Sequence, residues 1–240
     1  PNGQRIVTAS ADKTARIWNA EGAGAPFVRE GHANSVVAAA WSPDGARIVT
    51  ASADKTARVW SADGPGAPII LEGHQDPVLS TAWSPDGARI VTTSSDRTAR
   101  VWSADGQGAN FILGVHEGRV NNAAWSPDGE HVVTASSDNT VRVWSAAAAG
   151  APWLLTRHGG AVLSAVWSPD GKRLLTASED KTARVWIFDI DLLRRALRDA
   201  TAECLSPDQR RAYLLEDSAA AADGYLACKR EAGRGSGEAP

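Results

Sequence analysis

Four features of the chain recur at one fixed interval. Trp18, Trp60, Trp102, Trp144 and Trp186 are each 42 residues apart. The same spacing separates Trp41, Trp83, Trp125 and Trp167, the histidines His32, His74, His116 and His158, and the aspartates Asp12, Asp54, Asp96, Asp138 and Asp180. No insertion breaks the period. A repeat of this length is one supersecondary unit that cannot bury its apolar face alone, so copies must stack.

Each unit reads as four short strands. A Gly-His pair precedes an apolar segment such as SVVAAAW (residues 35–41). SPDG follows, with Pro second and Gly fourth, which suits a type I turn. ARIVTAS is an alternating strand, Asp54-Lys55 a tight connection, TARVW another alternating strand, SADGPGA a loop, and PIILEG the last strand. Short strands with turn signals about every ten residues indicate an all-β chain. Four strands per 42-residue unit is the blade of a β-propeller. The first unit keeps its second, third and fourth strands, three complete units follow, and the last has three. That arithmetic predicts about 18 strands in four to five blades.

The quoted motifs, Gly-His, then SPDG, then TASADKTARVW, resemble the WD40 repeat family over residues 1–187. One departure is plain: the Asp that follows the signature Trp is replaced by Asn19, Ser61, Ser103, Ser145 and Ile187. The resemblance implies one hydrogen-bond network per blade. By position its members are His32, Thr50, Asp54 and Trp60; His74, Thr92, Asp96 and Trp102; His116, Thr134, Asp138 and Trp144; His158, Thr176, Asp180 and Trp186. The first unit keeps Thr8, Asp12 and Trp18 without a His. Ser10, Ser52, Ser94, Ser136 and Ser178 are alternative hydroxyl members. In closed propellers of this family the last blade is completed by a strand from the other terminus, and no such strand is present. The expectation is a fragment of a larger propeller of about seven blades, with a rearranged five-blade ring as the alternative. The missing Met at the start supports the same reading of a chain that begins within a longer polypeptide.

A His, a hydroxyl and an Asp are also the parts of a hydrolase triad. Catalysis needs one such constellation beside an oxyanion hole and a cleft, not four spread around a ring. Buried Asp, His and Trp groups do need partners, and a linked network supplies them. The structural reading is therefore preferred, and no catalytic residue is assigned. Four His in four blades do not converge on one ion, so no metal is expected. No G-x-x-x-x-G-K-[ST] loop occurs, and no cofactor is expected. Arg16, Arg58, Arg100, Arg142 and Arg184 sit two before each Trp, and stacking on that Trp is expected rather than a phosphate-binding ring.

Positions that differ between otherwise similar units are released from the demands of the fold. They cluster after Gly-His, at Asn34, Gln75, Asp76, Glu117 and Arg119. They continue along the following strand at Ser80, Asn122 and Ser164, and recur before the turn Asp at Ser95, Ser137 and Glu179. In a propeller these places gather around one opening, and loops on a rigid scaffold are where recognition resides. A protein or peptide ligand is expected there. A glycan-binding or hydrolytic propeller would need a converging acidic or His-rich pocket. A structural spacer or oligomerisation unit is the remaining alternative.

From residue 188 the pattern changes. Ile190, Leu193 and Leu197 carry helical spacing, Ser206 to Gln209 is a capping box with Pro207 at the first turn, and a third helix is expected through Tyr225, Leu226 and Cys228. The expected domains are 1–187 propeller, 188–232 helical extension and 233–240 disordered tail. The tail resembles the helical ends that follow WD40 propellers in large bacterial signalling proteins carrying a STAND-type NTPase or Ser/Thr kinase. That resemblance implies such upstream domains as partners. The net charge of −3 gives no reason to expect nucleic acid or a membrane surface as partner. No apolar run approaches the roughly 18 residues of a membrane span. Both cysteines, Cys204 and Cys228, lie in the tail, which fits a reducing, cytoplasmic setting better than a disulfide scaffold.

Overall fold

The computed structural model describes residues 2–188 except Pro65, Ala109 and Ala149, together with 207, 219 and 222–227. It contains 18 strands in five antiparallel sheets, the number that the repeat arithmetic gives. The first sheet has three strands, β1 (Arg5–Ala9), β2 (Ala15–Asn19) and β3 (Phe27–Arg29). The second runs β4 (Val36–Trp41), β5 (Arg47–Ser52), β6 (Ala57–Ser61) and β7 (Ile69–Leu71). The third runs β8 (Val78–Trp83), β9 (Arg89–Ser94), β10 (Thr98–Ser103) and β11 (Phe111–Val115). The fourth runs β12 (Val120–Trp125), β13 (His131–Ser136), β14 (Val141–Ser145) and β15 (Trp153–Leu155). The fifth is β16 (Val162–Trp167), β17 (Arg173–Ser178) and β18 (Ala183–Ile187). Each sheet is a meander in chain order.

Successive sheets pack face to face. The innermost strands β4, β8, β12 and β16 neighbour one another in sequence. One face of each sheet meets the opposite face of the next. Val49, Val59 and Leu71 of the second sheet pack on Trp83, Ile90 and Trp102 of the third. Val91, Val101 and Leu113 pack on Trp125, Val132 and Trp144. The second strands are therefore covered on both sides. Five consecutive residues of β5, β9 and β13 are buried, apolar and polar alike. The alternation in IVTAS separates two buried faces instead of an inside from an outside.

A polar clamp reinforces each packing step. Arg47, at the start of β5, lies 4.8 Å from the Trp83 ring of the next sheet. Its guanidinium donates to the carbonyls of Ala104 and Gly87 at 3.0 and 3.2 Å. Arg89 repeats this on Trp125, Ala146 and Gly129. Arg5 does so on Trp41 and Gly45, with the Asp63 carboxylate as its second acceptor. Trp83 and Trp125 reach back, donating to Ala40 and Ala82 of the preceding inner strand. The buried Nε1 atoms of Trp41 and Trp167 find no acceptor among the described residues.

The turns follow from the motif. In SPDG, Ser42 Oγ bonds Asp44 and accepts from the Arg47 backbone, while Gly45 takes φ of 71°. A side chain is strained in that region, so Gly closes the turn. At the tight connection after Asp54, Lys55 itself adopts φ of 73°, and Lys13, Arg97, Asn139 and Lys181 do the same at their equivalent places.

The chain divides into two units, Pro1–Phe188 and Asp189–Pro240. In the second, residues 222–227 are helical. The helices expected around Ile190 to Leu197 and beyond Pro207, and the states of Cys204 and Cys228, lie outside the described residues. No described helix is long and apolar enough to cross a membrane.

Candidate functional site

Each sheet from the second to the fifth carries one network built from two strands, the turn between them and the loop before the innermost strand. In the second, Trp60 Nε1–H on β6 donates to Thr50 Oγ1 on β5 at 2.9 Å. Thr50 Oγ1 lies 2.8 Å from His32 Nε2, and His32 Nδ1 lies 2.7 Å from Asp54 Oδ2. A neutral imidazole protonated on Nδ1 satisfies both neighbours, accepting from the hydroxyl and donating to the carboxylate. Asp54 also accepts from the Ala33 and Thr56 backbone N–H groups and from Thr56 Oγ1. The loop before β4 is thereby tied to the turn between β5 and β6.

The geometry repeats closely. His74, His116 and His158 stand 2.8 Å from Asp96, Asp138 and Asp180, and 2.8 Å from Thr92, Thr134 and Thr176. Trp102, Trp144 and Trp186 close their networks at 2.7, 2.8 and 3.0 Å. Thr, and not the neighbouring Ser, occupies the place between His and Trp. The serines serve the loop: Ser52 Oγ donates to the Asn34 and Ser35 carbonyls and accepts from the Asp54 N–H. The first sheet keeps the Trp18–Thr8 bond at 2.9 Å. With no His there, Arg16 pairs with Asp12 at 2.6 Å.

This is a hydroxyl–imidazole–carboxylate relay, yet the hydroxyl is sealed. Thr50 is 0% exposed and its oxygen is already shared by Trp60 and His32. No substrate carbon can approach it. Burial works to raise the Asp54 carboxyl, but hydrogen bonds from Thr56, His32 and the Ala33 N–H outweigh it and hold the pKa at about 2. Asp96 and Asp138 sit at about 2 by the same balance. Burial pushes His32, His74 and His116 below the ordinary imidazole value, against the pull of their aspartates. Neutral His beside ionised Asp is the state that the network holds.

The expected stacking of Arg on Trp occurs at Arg142, 5.9 Å from the Trp144 ring. Arg16 and Arg58 lean instead toward Asp12 and Asp54, and Arg142 also stands 3.7 Å from Asp138. A carboxylate four residues back on the same hairpin draws the guanidinium more strongly than the ring face does. Gly31 fits this corner: a Cβ there would meet the Arg58 guanidinium at 2.8 Å.

The variable residues meet at the end of each sheet where these networks sit. Backbone bonds join the two loops of each unit: Ala53 to Ser35, Ser95 to Pro77, Ser137 to Arg119 and Glu179 to Ala161. Asn34, Gln75, Asp76, Glu117, Arg119 and Glu179 are exposed there. Ser137 Oγ takes bonds from Arg119 Nε and Asn121 Nδ2 at 3.2 and 3.1 Å. Asn122 spans two neighbouring inner strands, donating to Ser80 at 3.4 Å and accepting from the Ala165 N–H at 3.2 Å. Ser164 lies half-buried on that adjoining strand, as Ser95 does on the third sheet's turn. Asn121 was not singled out from sequence. It replaces Val37, Leu79 and Leu163 at its place in the repeat, and that single departure was the available signal. Asp128, Glu130 and His131 bring possible ligand atoms within 4.8 Å of one another. Asp128 is engaged by Ser126 and the Glu130 N–H, and the His131 ring stacks on Trp153. Turn geometry accounts for their proximity.

Meander sheets packed in series, with one Trp–Thr–His–Asp network in each of four, define a partial WD40-like β-propeller. Residues 1–206 match the family described as the IFT122 first beta-propeller, and the chain belongs to that family. No curated protein matches it.

Proposed function

We propose that the chain is a non-enzymatic recognition module that binds a protein or peptide through the loop end of its blades. The observation that carries the reading is the contrast between two residue sets. The His–Thr–Asp–Trp positions are the same in the second to fifth units and internally saturated. The exposed positions that change from unit to unit lie on the loops those networks hold still. Rigid presentation of variable side chains lowers the ordering cost of binding. Arg119, Glu117 and Asp76 supply charges of both signs, and Asn121, Asn122, Ser80, Ser137 and Ser164 supply short polar groups beside them. That mixture suits a peptide backbone with polar side chains better than a sugar-processing cleft, which requires converging carboxylates.

The module belongs, in this proposal, to a cytoplasmic signalling protein of bacterial type with an NTPase or kinase upstream. Coding sequence upstream of Pro1 tests that context. Peptide display against the chain tests the site. Selected peptides are expected to lose about tenfold in affinity, roughly 1.4 kcal/mol, on Arg119→Glu and to be indifferent to Glu21→Lys on the β2–β3 loop. Equal loss from both variants, or from neither, would remove the loop end as the binding surface.

A further inference from the structure

We infer that the fourth unit carries a carboxylate-binding site, with the Arg119 guanidinium as the group that receives the carboxylate. The inference rests on the recognition role proposed for the loop end and specifies the ligand chemistry there. Three departures from the repeat occur together in this unit. Arg119 replaces Ser35, Pro77 and Ala161 of the other units, and Asn121 replaces Val37, Leu79 and Leu163. Ser137 stands where the second and fifth units have Ala53 and Glu179. The fold joins the three. Ser137 Oγ accepts from Arg119 Nε at 3.2 Å and from Asn121 Nδ2 at 3.1 Å. Asn121 Nδ2 also donates to the Val162 carbonyl on β16, at 2.8 Å, which ties the group to the next sheet. The Arg119 carbonyl accepts from the Ser137 N–H at 3.0 Å and from Ser136 Oγ at 3.1 Å. Gly118 lets the loop lie this close, because a Cβ there would meet the Asp138 nitrogen at 2.7 Å. The second and third units carry Asn34 and Asp76 at that place.

This arrangement engages the Nε edge of the guanidinium and leaves its end open. Arg47 and Arg89 commit both terminal nitrogens to carbonyls of the next sheet. Arg119 is exposed, and among the described residues its terminal nitrogens have no partner. Holding Nε on a half-buried hydroxyl fixes the direction of the fork. Two parallel N–H groups then point away from the loop, the geometry that a carboxylate meets with two bonds. The surrounding charge favours a carboxylate over a phosphate. Arg119 is the one cation in residues 117–122 and 136–140, and Glu117 stands two residues before it, also exposed. One guanidinium balances one negative charge. A phosphate monoester carries about two, and the second would be unmatched beside Glu117.

Short synthetic peptides of randomised sequence are the probe, made as one set ending in a free acid and one ending in an amide. Binding to the full 240-residue chain is read by fluorescence polarisation. Arg119→Ala, Asn121→Leu and Ser137→Ala each install a residue that another unit already carries, at Ala161, Leu79 and Ala53. Folding is therefore expected to survive, and near-ultraviolet circular dichroism of the tryptophans verifies it. Peptides that bind the unaltered chain are expected to share one acidic position. Changing that residue from Glu to Gln costs about tenfold in affinity on the unaltered chain and nothing on Arg119→Ala. Asn121→Leu and Ser137→Ala are expected to keep only part of the discrimination, because they free the guanidinium without removing it. Loss of binding on amidation would place the carboxylate at the peptide's end, and its survival would place it on a side chain; either source bears out the site. Binders that are neutral and indifferent to Arg119→Ala would overturn the inference and leave the recognition role standing. Tighter binding of phosphoserine than of Glu at the acidic position would overturn the choice of carboxylate. Failure of both sets to bind would overturn the recognition role and the inference with it.

Discussion

Thr50 shows what one buried hydroxyl does in this chain. It accepts the Trp60 N–H and faces His32 Nε2, with no exposure to water. Thr50→Val keeps the shape and leaves both partners unsatisfied, which costs about 2–3 kcal/mol. Thr50→Ser retains the hydroxyl and is expected to recover most of it. Urea denaturation of both variants measures the difference, and equal stabilities would refute the relay as a structural element. Acid should act on the same network in two stages. His32, His74 and His116 have folded pKa values below the ordinary 6.5, so the unfolded chain binds protons first. Their contribution is complete above about pH 6.5 and is lost as pH falls below it. Asp54, Asp96 and Asp138 are lowered from 3.8 to about 2, so theirs is present above about pH 4 and lost on the way to pH 2. Thermal melts across this range should fall twice, and a flat profile from pH 7 to about 5 would contradict the buried neutral histidines.

At the scale of the element, the tight turn between second and third strands is the clearest case of sequence and geometry disagreeing. Lys55 holds φ of 73° with an exposed side chain. A left-handed L-residue costs roughly 1–2 kcal/mol. Asn tolerates that region better, and the fourth unit already carries Asn139 there. Lys55→Asn is therefore expected to stabilise by about 0.5 kcal/mol, measured as a shift in the urea midpoint with unchanged slope. The strands were legible from the 42-residue period, because turn signals and apolar runs recur together. The networks were legible for the same reason, down to the choice between Thr50 and Ser52, which spacing left open. Arg5, Arg47 and Arg89 were not. An arginine opening a strand reads as a solvated charge, and only the neighbouring sheet reveals its acceptors. The misplaced expectation about Arg58 has the same origin. Sequence puts Trp60 two residues away, while the folded hairpin puts Asp54 nearer the guanidinium.

At the scale of the molecule, stability in a serial array is a sum over units and over the contacts between them. The third sheet is docked on both faces, through Trp83, Ile90 and Trp102 on one side and Val91, Val101 and Leu113 on the other. Among the described residues, the first and fifth sheets are docked on one. Opening β1–β3 or β16–β18 breaks a single interface, whereas opening β8–β11 breaks two. Amide hydrogen exchange under native conditions should thus show a gradient, with protection greatest in β9 and β10 and least in β2 and β18. The backbone bonding within the meanders is similar in the middle and at the ends, so a gradient of this kind reports face-to-face packing and not strand pairing. Protection of β2 and β18 already equal to that of β9 would mean that face-to-face packing does not set the order of opening, and the serial description of the array would be wrong.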